Sequence, residues 1–76
     1  MDGAHLTHYY ISHLTGRGRT THEIRKHEYD QVRREMMEDI SRGRGRSWDT
    51  VQLIETVGTR IITMVDGAPS TPFFGI

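Results

Sequence analysis

The chain has 76 residues, which leaves no room for a second domain. Only 34% of them are apolar and none is cysteine, so a large core, disulfide staples and Cys-based zinc ligands are all excluded. Ten Lys and Arg offset ten Asp and Glu, and a net charge of zero counts against wholesale wrapping of nucleic acid.

The opening segment, Met1 to His8, has no basic region followed by an apolar run, so no secretory signal is read there. No stretch approaches the roughly 20 apolar residues of a membrane span. A cytoplasmic protein with no membrane partner is expected. Leu6 to Leu14 is rich in strand formers, with Thr7, Tyr9, Tyr10 and Ile11. Thr15 to Arg19 is a glycine-punctuated turn.

Thr20 to Ile24 allows two readings. Its threonines favour a returning strand, which gives β-β-α-β-β. A Thr-x-x-Glu box in the same segment instead starts a helix near Thr21 and gives β-α-β-β. The first is preferred, because the apolar helical face begins at Tyr29. That face is Tyr29, Val32, Met36 and Ile40. It belongs to a helix predicted from about Lys26 to Arg42. Asp30 with Arg34, and Arg34 with Glu38, stand at pairing distance on it. Gly43 occupies the left-handed position beyond its end.

Trp48 to Val57 reads as a strand, Gly58 as its turn, and Thr59 to Val65 as the second arm of a β-hairpin. Residues 67–76 form a tail holding both prolines, Phe73, Phe74 and Ile76. The whole, residues 1–76, is one small α+β domain: a single helix on a small antiparallel sheet.

The five histidines, His5, His8, His13, His22 and His27, crowd the first third. Odd spacings put His5 and His8, and His8 and His13, on opposite faces of a strand, so no metal site is expected. No serine stands in a nucleophile elbow, and the carboxylates suit a solvated helix face. Neither catalysis nor a cofactor is expected.

Two Gly-Arg-Gly-Arg turns begin at Gly16 and Gly43. They match neither a P-loop nor a dinucleotide fingerprint. Arginine on glycine backbone holds phosphate or carboxylate bidentately, whereas the plainer reading is two solvated turns. In β-β-α-β-β order both turns fall at one end, gathering Arg17, Arg19, Arg42, Arg44 and Arg46 into a basic pole able to steer a charged partner. Trp48, Tyr9, Tyr10, Phe73 and Phe74 are candidate interface residues and equally candidate core in an apolar-poor chain.

The stretch Glu23-Ile24-Arg25-Lys26-His27-Glu28-Tyr29-Asp30-Gln31-Val32 resembles a recurring piece of small accessory proteins of phages and prophages, and the hairpin ending Val65-Asp66-Gly67 is in the same style. Anti-CRISPR proteins and other host-takeover inhibitors belong to that loose grouping. The resemblance covers about a third of the chain and carries no binding residue over. It implies a protein that acts stoichiometrically on a host machine. The expectation is therefore a non-enzymatic regulatory or inhibitory protein that binds a host protein or protein complex. A nucleic-acid module using the Arg-rich turns is the alternative. A homodimer is expected, because one helix face covers only one side of a sheet and the chain is short of apolar residues.

Overall fold

A computed structural model describes residues 6–67. A hairpin of β1 (Thr7–Thr15) and β2 (Gly18–Ile24) is followed by the helix α1 (Lys26–Ser41) and a second hairpin of β3 (Val51–Val57) and β4 (Arg60–Asp66). The order is β-β-α-β-β, and the strands make one antiparallel sheet with spatial order β2-β1-β3-β4. Among the described residues no helix is long and apolar enough to cross a membrane.

The Thr-x-x-Glu box is not used. Thr20 and Thr21 pair with His13 and Ser12 of β1, where β-branched side chains suit the pleat. The helix starts five residues later. Its N-cap is Arg25, whose backbone N–H donates to the Glu28 carboxylate at 2.9 Å. At the other end Gly43 takes φ 78°, a conformation that costs a residue with a Cβ. Its N–H donates to Ile40 O at 3.1 Å, and that of Arg44 to Asp39 O at 2.7 Å, which is a Schellman closure. On the helix surface Asp30 pairs with Lys26 at 2.8 Å, not with Arg34.

Trp48 does not open β3, contrary to the sequence reading. Gly45–Trp48 forms a 3-10 turn, and the strand begins at Val51, opposite His13. The cause is a bond to the helix: the Trp48 indole N–H donates to Asp39 Oδ2 at 2.8 Å. That contact draws residue 48 toward α1 and off the line of the strand.

The predicted apolar face of α1 does meet the sheet. Tyr29 and Met36 are buried with Val51 and Leu53, and Val32, Ile40, Tyr9, Ile11, Ile24, Trp48 and Val65 pack around them. The rings of Tyr9 and Tyr29 lie 4.9 Å apart between centroids. Four fully or nearly fully buried side chains, each contributing roughly 1.5–3 kcal/mol, make a small core.

Candidate functional site

Strand register divides the sheet into two unlike faces. Ile11, Leu53 and Val65 stand in one row across β1, β3 and β4 and belong to the core under α1. Alternation turns their neighbours to the opposite face, which no element among the described residues covers. Across the middle of that face run Glu23, Tyr10, Ile54 and Met64, one from each strand. The next row toward the Gly58 turn holds His8, Thr56 and Ile61. Tyr10 and Ile54 are half-buried by their neighbours, whereas Met64 is 48% and Ile61 58% exposed. Ile62, also exposed, is the extra residue of the irregularity opposite Glu55 and Thr56. Apolar surface thus gathers on the β3–β4 side.

The β2 side of the same face is polar and already bonded. Ser12 is fully buried, and its hydroxyl oxygen accepts from Arg19 at 2.9 Å and from Thr21 at 3.2 Å. That row stays polar as it crosses to β3 and β4, where Gln52 donates to Asp66 at 2.9 Å. His8 Nδ1 lies 2.7 Å from the Glu23 carboxylate. An apolar strip framed by satisfied polar groups has the anatomy of an interface core and rim.

The arginines are brought to one end only in part. The Gly16–Arg17 turn and the 42–50 connection both lie at the end where Leu14 N–H donates to Thr50 O at 2.9 Å. Arg17, Arg42, Arg44 and Arg46 are exposed there. Arg19 is turned along the open face to hold Ser12, so it serves the sheet. Asp49 stands in the 42–50 connection and the Asp39 carboxylate is taken up by Trp48, which dilutes the positive charge.

The aromatic candidates separate cleanly. Tyr9 belongs to the core against Tyr29, and Trp48 is a half-buried structural contact of α1. Tyr10 lies on the open face. Phe73 and Phe74, like His5, lie outside the described residues. Among the described residues no three His, Cys, Asp or Glu side chains gather as metal ligands. A shallow depression of about 600 Å³ near the start of α1 is lined by Thr7, Tyr9, Ile24 and Arg25 together with His8, Glu23 and Lys26, which are already paired.

Ile54, Ile61 and Met64 were not among the residues singled out from sequence. Their signal was present: Tyr9-Tyr10-Ile11, Leu53-Ile54 and Met64-Val65 are consecutive apolar residues, and in a strand consecutive residues serve both faces. No family model, no curated protein and no solved structure matches the chain.

Proposed function

We propose that this is a small non-enzymatic binding protein that engages another protein through the uncovered face of its sheet. The observation that carries the reading is the row Tyr10–Ile54–Met64, with Ile61 beside it, on a face that α1 does not cover. Contiguous apolar surface on a chain so poor in apolar residues is where a partner docks. The partner is a protein with an apolar centre to its contact surface. The resemblance of residues 23–32 to phage and prophage accessory proteins makes a host protein the expected class, held stoichiometrically in the manner of a regulator or inhibitor.

The double substitution Ile54→Ser with Met64→Ser tests this. The melting temperature should fall by only several degrees, since the half-buried Ile54 contributes on the order of 1 kcal/mol and neither side chain belongs to the buried cluster. Capture of partner should fall at least tenfold against a Met37→Ser control, whose side chain is exposed on α1. Equal capture by both variants removes the reading.

The exposed Arg17, Arg42, Arg44 and Arg46 at one end favour a second reading, nucleic-acid binding. It predicts affinity for labelled oligonucleotides that falls steeply between roughly 50 and 200 mM salt. An apolar contact loses much less.

A further inference from the structure

We infer that, when no partner is bound, the uncovered sheet face of one copy packs on the same face of a second copy. This deepens the reading above and rests on it: the face that a partner takes is held, without one, by the chain itself. Charge, the pairing of apolar positions and area all point to a second copy.

The apolar half of the face carries no charge. Ile54 and Thr56 on β3, and Ile61, Ile62 and Met64 on β4, are all uncharged, and Tyr10 continues the Ile54 row onto β1. β4 is an edge strand with Arg60 at its start, Asp66 at its end and no charged residue between them. A two-fold contact sets the same patch on itself. With the axis lying across the strands, between the two sheets, β4 of one copy lies along β4 of the other in the opposite direction. Each Arg60 end then meets the Asp66 end of the other copy. Arg60 is exposed at the sheet margin, where its long side chain reaches round the edge. Asp66 keeps its bond from Gln52 and brings its charge with it.

Centring that axis between the Ile61 and Met64 rows makes the fit self-complementary. Met64 of each copy lies over Ile61 of the other, Ile54 over Thr56, and Tyr10 over His8. The polar groups of the β2 side, Glu23 with His8 and Arg19 with Ser12, fall at the border. An axis along the strands would instead lay β4 on β2 and set Met64 over the Glu23 carboxylate. Apolar surface would then meet charge.

The area sets the strength. Four strands about 4.8 Å apart, each about seven residues long at ~3.3 Å per residue, give a face of roughly 450 Å² in plan. Two such faces, packed about 10 Å apart with side chains interdigitated, bury on the order of 1,000 Å² together. That is the threshold of a specific contact and far below a permanent dimer. Ile61, 58% exposed, and Met64, 48% exposed, have the most surface to lose. The dimer is therefore weak, half-formed on the order of 100 µM, and a partner displaces it.

Sedimentation equilibrium of the chain alone tests this. The mass should rise from 8.8 kDa toward twice that between roughly 5 and 500 µM. Met64→Arg should move the midpoint at least tenfold upward in concentration, and Met37→Arg, on α1, should leave it in place. In a mixture of copies labelled at Ile methyls with copies labelled at Met methyls, nuclear Overhauser contacts between copies should join Met64 to Ile61 and omit Met37. A monomer mass throughout overturns the inference. So does a dimer that Met64→Arg leaves intact, or contacts between copies that run through Met37. The two readings fail separately, because self-association is measured without partner. A monomer whose partner capture still falls with Ile54→Ser/Met64→Ser removes the second copy alone, and a dimer whose capture is insensitive to that pair removes the partner alone.

Discussion

Replacing Tyr29 by Phe takes a single oxygen out of the centre of the domain. The side chain is 2% exposed and lies on the buried face of α1. Its hydroxyl is buried without a hydrogen-bond partner among the described residues. An unpaired buried hydroxyl costs about 1–3 kcal/mol relative to its state in water. Phenylalanine keeps the ring against Tyr9 and removes that cost, so Tyr29→Phe should stabilise by about 1 kcal/mol. For a domain of this size that is a rise of about 4–8 °C in melting temperature. The pH dependence follows from the same burial, which pushes the Tyr29 phenol above its ordinary value of 10. Glu55, Tyr9 and Asp30 push the same way, and Arg33 opposes them. A raised value in the folded state means the contribution is complete below about pH 10 and is lost as pH rises through the folded value. Urea melts at pH 7 and at steps above pH 10 read both effects. The parent should lose stability on the alkaline side and Tyr29→Phe should lose less. A destabilisation of more than about 1 kcal/mol in the variant would show that the hydroxyl has a partner and refute the reasoning.

Gly67→Ala should destabilise the domain by about 2 kcal/mol or more, because a Cβ there collides with the Trp48 carbonyl, a backbone group that cannot swing aside; thermal melts against Gly16→Ala, where the added carbon meets open space, isolate the effect. Arg19→Ala should cost about 1 kcal/mol, since it removes a charged donor from the buried Ser12 hydroxyl, discounted for the exposure of the arginine. Arg17→Ala, in the exposed turn, should leave the unfolding free energy from urea melts within about 0.5 kcal/mol of the parent.

The sequence was most legible where periodicity and sterics agree. Tyr29, Val32, Met36 and Ile40 repeat at helical spacing and do meet the core, and Gly43 marks the helix end because only a left-handed residue closes it. Thr20 to Ile24 was harder, since threonine serves both an N-cap and a strand; the outcome turned on Glu28, which caps from inside the helix. Trp48 was misplaced because its position is set by Asp39, nine residues earlier in sequence, and propensity does not register such a contact. Arg19 looked like one more solvated turn arginine until the register brought Ser12 beneath it. The open face went unread because Ile54 and Met64, taken alone, look like hairpin core. Only the pairing of strands shows that they share the side away from α1.

Met64 and Met37 give the central claim its most direct test. Both are exposed to nearly the same degree, 48% and 50%, one on the open sheet face and the other on α1. A photoreactive methionine analogue placed at one position or the other samples the two sides of the domain equally. Irradiation in the presence of partner should give a discrete cross-linked species from position 64 and only background from position 37. Equal yields, or a species from position 37 alone, would contradict binding through the uncovered sheet face.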